Sequence, residues 1–408
     1  MHHPGARPPG TPLAGQFLFL PIRDVHYGVG CLRHLASALE THGIARALLI
    51  TGRTLARETP LVARVREAAG GRIAGVFDDT VQHVHRTSVL RAAEAARDLG
   101  ADGIVSFGGG TPNDTGKAVL LALAVDVRTP AQFDAHRVKF AYPATVEIPP
   151  VRGPAVPMIA VSTTLSGGEF THFAGITDEV RKVKDLYIDP KLAARAVFLD
   201  PELTLATPTW LWLSTGMRAV DHCIEALCST NAHPFTDALA AHALATLNRR
   251  LRDCKAYPED LEARAEAHIA AWMSVCGLAN VNLGLSHGIG HQLGARCNVP
   301  HGLTSCVMMA PTMAYNQAHV GTRQAWIAEL MGRDVRGLTA DAAAAAGRDA
   351  VSALVHDLDL PHRLRDVRVT RADFAAIAQD ALEDLVVASN PRPVTAVDEV
   401  IALLEAAY

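Results

Sequence analysis

The sequence predicts an α/β domain followed by an all-helical domain. In the first half of the chain, short apolar runs of strand length alternate with helical patterns, which is typical of βαβ units around a largely parallel sheet. From Pro208 to Tyr408 the chain is rich in Ala and Leu, has helical periodicity and shows no convincing strand pattern. Its 408 residues also exceed the ~250–300 at which a single hydrophobic core stops growing. We therefore predict a loose leader over 1–13, an α/β domain over 14–200 and a helical domain over 201–408.

Individual elements follow from the apolar periodicity. The predicted strands are Gln16–Leu20, Ala45–Thr51, Arg72–Phe77, Gly103–Phe107, Met158–Ser162 and Ala196–Leu199. The predicted helices of the first half are Val29–Thr41 and Thr87–Leu99, of which the second repeats apolar residues on one face. Those of the second half include Pro234–Leu251, Leu261–Leu278, Ala340–Asp357 and Arg371–Leu385.

Composition and charge exclude several classes of protein. Hydrophobic residues make up 49% of the chain and the mean hydropathy is +0.14, which excludes intrinsic disorder. A net charge of −4 gives no basic field for nucleic acid or an anionic membrane. We find neither an apolar run of the ~20 residues that cross a membrane nor the apolar core of a signal peptide. Seven cysteines without a CxxC pair indicate reduced thiols, and the sequence predicts a cytoplasmic protein.

A glycine turn follows one of the predicted buried strands. Gly108, Gly109 and Gly110 stand between this strand and the start of a helix, where backbone amides and the positive helix end favour a phosphate. Ala118 stands where a P-loop needs Ser or Thr, and Asn113 where a dinucleotide fingerprint needs Gly or Ala. A plain tight turn is the alternative. A second segment with hydroxyl side chains, 162–169, follows another strand, where a ligand or a simple capping turn is equally compatible.

Histidines cluster in the second half of the chain. His287 and His291 are four residues apart on one helical face, and His301 follows ten residues later. Arg218 and His222 are likewise four apart on another predicted helix. Imidazoles that converge from separate helices suit a Zn²⁺ or Fe²⁺ site or proton transfer near neutral pH, and hydrogen-bonded core histidines are the alternative.

These motifs together resemble the iron-containing alcohol dehydrogenase superfamily, from about residue 14 to the C-terminus. The segment 108–117 is similar to that family's GGGSxxDxxK phosphate loop, and 287–301 to its HxxxH followed by PHG. The resemblance implies a dehydroquinate synthase-like architecture, with a cofactor-binding α/β domain, a helical domain and a hydride-transfer site in the cleft between them. It also implies a set of residues that bind NADH or NADPH: Gly52, Gly108, Gly109, Gly110, Thr111, Asp114, Lys117, Thr163, Thr164 and Lys184.

The sequence departs from the family at the metal site. Members that bind iron or zinc use an Asp, a His four residues later, the first His of HxxxH and the His of PHG. The matching positions here hold Arg218, His222, His287 and His301. A guanidinium cannot ligate a divalent cation and would repel one. The resemblance therefore favours no metal; if one binds, the ligands would be the three histidines and possibly Asp221, which points about 100° away on the helix.

A second departure concerns the choice of cofactor. Many relatives carry an Asp after the second strand, and that carboxylate accepts the adenosine ribose hydroxyls and repels a 2′-phosphate. Gly52 stands at this position and Arg53 follows it. Arg53 could pair with a phosphate or lie solvated in a loop, so both NADH and NADPH remain open.

Loss of the acidic ligand makes the chain resemble the maleylacetate reductase branch, although Arg218 is unusual there because Asn is usual. The resemblance implies NAD(P)H-dependent reduction of maleylacetate, or of a similar unsaturated oxo-dicarboxylate, to 3-oxoadipate in aromatic-compound catabolism. The catalytic candidates are Arg218, His222, His287, His291 and His301. The alternatives are a metal-dependent alcohol dehydrogenase, a dehydroquinate synthase-like lyase and a nucleotide-binding sensor without turnover. The expected partners are a small-molecule substrate and a second copy in a homodimer, with no nucleic acid and no membrane.

Overall fold

A six-stranded sheet, parallel throughout, organises the first half of the molecule. The computed structural model describes residues 11–12, 14–141 and 145–408. The sheet has the order β1-β10-β7-β4-β2-β3, and β5–β6 and β8–β9 form two separate antiparallel hairpins. The strands are β1 Asp24–Tyr27, β2 Ala47–Ile50, β3 Ile73–Phe77, β4 Gly103–Gly108, β5 Lys139–Ala141, β6 Thr145–Glu147, β7 Met158–Ser162, β8 Phe173–Asp178, β9 Val183–Ile188 and β10 Ala196–Leu199.

The strands β2, β4, β7 and β10 are covered on both faces. Every residue of β2, β4, β7 and β10 is buried, and these strands read as continuous apolar runs, as expected for a parallel sheet between two layers of helices. The helices of this half are α1 Leu35–Thr41, α2 Arg53–Glu58, α3 Leu61–Ala68, α4 Arg86–Asp98 and α5 Gly110–Ala124. Since the strands run in parallel, the residues after β2, β4 and β7 lie at one edge of the sheet, where ligands of such sheets bind.

Residues 209–408, all of which the structure describes, contain helices joined by loops and no strand. The helices are α6 Thr209–Leu227, α7 Pro234–Ala256, α8 Leu261–Val275, α9 Leu285–Cys297, α10 His301–Leu330, α11 Ala340–Asp357, α12 Phe374–Ala381, α13 Leu385–Ala388 and α14 Val397–Ala406. Helix α6, buried from Trp212 to Leu227, packs against α7, α8 and α10 and forms the centre of this half. The predicted fold class, an α/β part followed by a helical part, is confirmed.

The first predicted strand is wrong. Residues 16–20 are not a strand, and the rings of Phe17 and Phe19 instead lie 4.9 Å apart and contact Phe235 of α7. The run is apolar because it covers the helical half, so its composition resembled that of a strand. Most of the predicted leader, 1–10 and residue 13, lies outside the described residues. Thr11 is buried and donates a hydrogen bond to Asp237 Oδ2 (2.7 Å), so the leader is not loose at this point.

The hairpin β8–β9 went unrecognised in the sequence and is anchored by a buried ion cluster. Arg86 of α4 is 3% exposed, and its guanidinium lies 2.7 Å from carboxylate oxygens of Asp134 and Asp185 and 3.0 Å from Asp178. Arg181 pairs with the last two as well. These contacts fix the hairpin over α4 and thereby position Lys184, which pairs in register with Thr177.

No helix in the described part of the chain is long and apolar enough to span a membrane. All seven cysteines lie within that part, and each is a free thiol.

Candidate active site

The glycine turn after β4 forms a concave backbone surface, here called the cradle, that side chains at the glycine positions would fill. Gly108 has φ +137°, a conformation that favours glycine, and a Cβ at Gly109 would lie 2.9 Å from Thr164 Cγ2. Helix α5 begins at Gly110, so its first amide groups have no partner inside the helix and its positive end faces the turn. The turn therefore fits a pyrophosphate, and Thr111 and Asp114 follow it on the first turns of α5.

The paired threonines, Thr163 and Thr164, lie beside this cradle. The Thr163 amide donates to the Gly108 carbonyl (3.0 Å), which joins the end of β7 to the glycine turn. Its carbonyl accepts a hydrogen bond from Thr207 (2.8 Å), and Thr164 Oγ1 donates to Ser166 (3.3 Å). Both threonines are buried, so the edge that would hold the cofactor is rigid.

Lys117 does not face the cradle. Its side chain is fully buried, and its ammonium donates to the Gly168 carbonyl (2.5 Å), Thr171 Oγ1 (2.8 Å) and the Phe173 carbonyl (2.9 Å). An ammonium has three donors and protein atoms accept all three, so cofactor binding by Lys117 stays a prediction that would require these contacts to change. Lys117 instead fastens α5 to the segment that leads into β8, a role that spacing along the chain does not reveal.

Gly52 lies at the end of β2, where an acidic side chain would fit. A Cβ there would lie 3.8 Å from Thr80 Oγ1, which is an ordinary contact, and its backbone is extended. Arg53 is exposed and forms an ion pair with Asp79, which also pairs with Arg91 (2.7 Å). Arg53 is therefore held by a carboxylate at the edge of the sheet.

Lys184 points from β9 over its neighbouring strand. A Cβ on Gly175 of β8 would overlap the Lys184 side chain, so glycine is required there to make room for it. Burial lowers the pKa of Lys184; the Asp114 carboxylate opposes this effect and the charge of Arg218 adds to it. The α/β half therefore presents an ammonium near the guanidinium of the helical half.

Arg218 of α6 lies among the predicted metal-ligand positions. Its guanidinium is buried, and Nη2 lies 2.6 Å from Nε2 of His301 at the start of α10. Nη1 donates to Ser305 Oγ (3.0 Å) and lies 3.4 Å from Asp221 Oδ2. Because a guanidinium has donors only, His301 Nε2 accepts and its ring proton sits on Nδ1.

Asp221 is the counter-ion of Arg218. Its carboxylate is fully buried, and Oδ2 also accepts hydrogen bonds from Ser305 (2.6 Å) and Ser286 (2.7 Å). Burial would raise the pKa of Asp221, but His287 and Arg218 hold it far below its ordinary value. Arg218 and Asp221 therefore form a buried pair that two serine hydroxyls complete.

His222 and His287 lie next to the buried pair of Arg218 and Asp221, and His287 Nδ1 is 3.3 Å from Asp221 Oδ1. The ring centroids of the two histidines are 4.9 Å apart, and His287 Nδ1 lies 2.7 Å from Glu225 Oε2, which fixes that ring. Glu225 also accepts the amides of Gly284 and Ser286 at the start of α9, where the helix dipole favours a carboxylate. Nδ1 of His222 and Nε2 of His287 are buried and have no hydrogen-bond partner in the described part of the chain.

Electrostatics divides the histidines into two kinds. Burial, together with His287 and Arg218, holds the pKa of His222 well below 6.5, and burial with Arg218 and Lys184 does the same for His301. Burial and Arg218 also oppose a charge on His287, but the carboxylates of Asp221 and Glu225 outweigh them and raise its pKa. His222 and His301 are therefore neutral near pH 7.

His291 differs from the other three because it faces a cavity and is partly exposed. Its ring is stacked 5.8 Å from that of His301, and its Nδ1 lies 2.9 Å from Asp384 Oδ2. A carboxylate only accepts, so Nδ1 carries the proton and Nε2 is left for a second partner. Gln292 Nε2 also donates to Asp384 (3.2 Å) and helps to fix this histidine–carboxylate pair.

The cavity lies between the hairpin β8–β9, helix α9 and the segment 380–386. Its volume is about 200 Å³, below the ~300–1,000 Å³ of pockets for drug-sized ligands, which indicates a small substrate. Lys184 and His291 line it together with apolar side chains such as Phe140 and Leu186. Through His291 and His301 the cavity adjoins the guanidinium of Arg218.

The residues present do not fit the four-ligand metal set of the family. The acidic position holds a buried cation whose Nη2 already contacts Nε2 of His301, one of the three matching histidines. An ion at that point would meet a permanent positive charge at short range. Asp221, Glu225 and His287 do bring ligand atoms within 4.8 Å of one another, but Asp221 Oδ2 already accepts from Arg218 and two serines, and Glu225 contacts His287 and accepts two backbone amides.

Several residues of this site were not among the predicted site residues. Glu225, Ser305 and Asp384 lie far along the chain from the groups they hold, and a polar residue on an apolar helix face was the only signal for them. His83 was also missed: its ring lies under α9, where a Cβ on Gly294 would meet it at 3.2 Å. Its backbone has φ 64°, and φ is 58° at Val84, which is strained for a β-branched residue.

Comparison with known proteins assigns both halves of the chain to one family. Residues 23–201 match the model for iron-containing alcohol dehydrogenase, and residues 212–408 match that for the C-terminal part of the Fe-containing alcohol dehydrogenase family.

Similar proteins carry several activities. Lactaldehyde reductase of Escherichia coli K12 is 32% identical over 386 residues, which cover 94% of this chain and 97% of that protein. Maleylacetate reductase of Pseudomonas sp. strain P51 is 31% identical over 307 residues, 75% of this chain and 77% of that protein. The crystal structure of a 1,3-propanediol oxidoreductase superimposes with a TM-score of 0.85 at 30% identity, covering 97% of this chain and 100% of that one.

Proposed function

The chain belongs to the iron-containing alcohol dehydrogenase family, and from that premise we propose that it is a metal-free NADH- or NADPH-dependent reductase of maleylacetate or a closely similar unsaturated oxo-dicarboxylate. The family membership makes it an oxidoreductase and confirms the resemblance found in the sequence. The relatives named lactaldehyde reductase, propanediol dehydrogenase and maleylacetate reductase are 32%, 32% and 31% identical over 94%, 90% and 75% of this chain, so the choice of substrate rests on the site.

The observation that carries this proposal is the position of the Arg218 guanidinium. It is buried with Nη2 2.6 Å from His301 Nε2, at the point where the family's ligand set would converge. A buried guanidinium provides a fixed positive charge and a fork of donors, which suits an oxyanion or a carboxylate. A substrate with carboxylates and a carbonyl fits such a group better than a simple alcohol does.

The reaction balances without a metal. A bound reduced nicotinamide supplies the hydride, which adds to the carbon of the C=C bond that lies β to the ketone. The π electrons of that bond move toward the carbonyl and leave an enolate on the substrate. A proton then joins the α carbon, and the product is 3-oxoadipate. One hydride and one proton are consumed for each substrate molecule.

Arg218 and His291 have separate roles in this scheme. Arg218 donates hydrogen bonds to the enolate oxygen as negative charge develops there, in a buried site where such bonds are strong. His291 delivers the proton from Nε2 as an imidazolium whose Nδ1–H stays on Asp384, and its ring, which lines the cavity, then takes up a proton from solvent. Lys184 contributes a second positive charge at the cavity wall.

The cofactor lies on the α/β half in this proposal. The amides after Gly109 would hold the pyrophosphate, and Thr163 and Thr164, which lie beside the glycine turn, would hold the neighbouring part of the cofactor. Gly52 leaves room beside the adenosine ribose and carries no carboxylate to repel a 2′-phosphate. Arg53 is held by Asp79, so both NADH and NADPH are compatible with this edge.

A metal-dependent alcohol dehydrogenase is the second candidate. Three of the family's four ligand positions keep their histidines, and Asp221, Glu225 and His287 place ligand atoms within 4.8 Å of one another. Under this alternative an ion would displace Arg218, and simple aldehydes would be the substrates. The variant Arg218→Asp restores the one-Asp, three-His set, and we expect it to bind iron or zinc where the wild type does not.

Steady-state oxidation of NADH and NADPH tests the proposal. The assay compares maleylacetate with simple aldehydes, each with and without a chelator. We expect maleylacetate to be reduced at the same rate in both conditions and aldehydes to react poorly. Preference for aldehydes, with loss of activity in chelator, would instead establish the metal-dependent alternative.

The homodimer and the cytoplasmic location stay predictions. Light scattering of the purified protein measures the first, and we expect twice the chain mass of 43.4 kDa. Fractionation of cells that express the tagged chain measures the second.

A further inference from the structure

Arg137 lies at the rim of the cavity and is held there by the backbone of its neighbour. The Val138 amide donates to the Leu186 carbonyl (2.8 Å), which ties the chain before β5 to the edge of β9. Arg137 thereby lines the same cavity as Lys184 and His291, and its side chain is 35% exposed. It therefore stands between solvent and the interior of the cavity.

The guanidinium of Arg137 retains donors that nothing in the described part of the chain fills. Its Nε is shielded from solvent without a hydrogen-bond partner, and the carboxylate of Asp134 approaches only to 4.0 Å. A buried N–H without a partner is costly, which indicates that a ligand completes it. Asp134 itself is already paired with Arg86 at 2.7 Å.

Most other charged groups around the cavity are engaged. Arg181, the second arginine of the wall, is paired with Asp178 and Asp185. Asp384 is bonded to His291, and Asp380 to Arg296. Arg137 is thus the arginine of this wall that has no carboxylate of the described residues within hydrogen-bond distance.

We propose that Arg137 binds a carboxylate of the dicarboxylate substrate at the rim of the cavity, away from the reacting carbons beside His291. This rests on the proposed function. The cavity is small, so a dicarboxylate whose reacting carbons lie beside His291 extends to the rim, where the planar guanidinium of Arg137 suits a carboxylate. Arg137 is thereby the residue that separates dicarboxylate from monocarboxylate and neutral substrates.

The test compares Arg137→Gln with Lys139→Gln. The control removes the same charge two residues away, from a side chain that is 47% exposed, pairs with Glu147 and does not line the cavity. For maleylacetate we expect Arg137→Gln to raise KM by about 10- to 100-fold, the effect of one charged hydrogen bond, with kcat within about threefold. Lys139→Gln should leave KM within about twofold.

A second substrate separates recognition of the carboxylate from general damage. An analogue of maleylacetate with the distal carboxylate converted to an amide should show the high KM with the wild type and no further rise with Arg137→Gln. Equal KM values for wild type and Arg137→Gln on maleylacetate, or an equal rise on both substrates, would overturn the proposal. If the wild type does not reduce maleylacetate, the proposed function fails and this proposal fails with it. Arg137→Lys keeps the positive charge but lacks the two parallel donors of the guanidinium, so its KM for maleylacetate should lie between those of the wild type and Arg137→Gln. It replaces Arg137→Gln in the test if that variant does not fold.

Discussion

Removal of the Arg218 guanidinium separates its structural role from its catalytic one. In Arg218→Ala, Asp221 keeps its two serine donors and the nearby His287, but its fully buried charge loses its partner. Breaking a buried pair in this way costs about 3–5 kcal/mol, and the remaining donors place this case near 3 kcal/mol. Loss of the donor to the enolate should lower kcat/KM for maleylacetate by about 30- to 1,000-fold, or about 2–4 kcal/mol.

The double variant Arg218→Ala/Asp221→Asn separates the loss of stability from the loss of activity. Replacing the carboxylate removes the unpaired charge, so we expect about 1–2 kcal/mol of the lost unfolding free energy to return. Activity should not return, because no donor has been restored. Urea unfolding and steady-state kinetics on the same preparations measure both, with the exposed Arg336→Ala as control. If the double variant regained wild-type kcat/KM together with its stability, Arg218 would be a structural residue and the mechanism would be refuted.

Three further predictions concern the cofactor edge and the strained loop. Gly109→Val should weaken NADH binding by at least about tenfold in a fluorescence titration, because its side chain would enter the cradle beside Thr164. The control Gly15→Val, with open space around the new side chain, should leave NADH affinity unchanged. Equal NADH affinities for the two variants would show that the cradle does not bind the cofactor. Gly52→Asp should raise the NADH-to-NADPH ratio of kcat/KM by at least about tenfold, and an unchanged ratio would show that this strand end does not discriminate. Burial, with the charges of Lys184 and His85, lowers the pKa of His83 from 6.5 to about 4. Between these two pH values His83 is protonated in the unfolded chain and neutral in the folded one, so the free energy of unfolding falls as the pH drops from 6.5 toward 4. Between pH 7 and pH 5 the wild type should lose about 2 kcal/mol more unfolding free energy than His83→Asn, which tolerates the left-handed backbone; equal losses would contradict this assignment.

Local patterns predicted the elements whose periodicity is strong. Helix α11 begins and ends where its Ala-rich pattern does, and the buried strands β4, β7 and β10 were recognised because they are continuous apolar runs between turn signals. The glycine turn was placed correctly because Gly108 has φ +137°, a backbone conformation that favours glycine. These features depend on neighbours along the chain.

Features that depend on distant contacts were not predictable in this way. The apolar run at 16–20 covers a helix instead of joining the sheet, and periodicity does not distinguish the two. Lys117 resembled a phosphate ligand in the sequence, and its hydrogen bonds to the carbonyls of Gly168 and Phe173 were visible only in the fold. The departure at Arg218 was visible in the sequence, whereas its contacts with His301 and Ser305 required the fold.

The activity of the wild-type protein after metal removal tests most directly whether Arg218 replaces the metal ion. The measurement is kcat/KM for maleylacetate in the presence of a strong chelator, with iron and zinc determined in the same purified protein. We predict unchanged kcat/KM and far less than one metal ion per chain, because the Arg218 guanidinium stands where the ion would bind. Loss of activity in chelator, restored by iron or zinc, would contradict the replacement of the metal by Arg218.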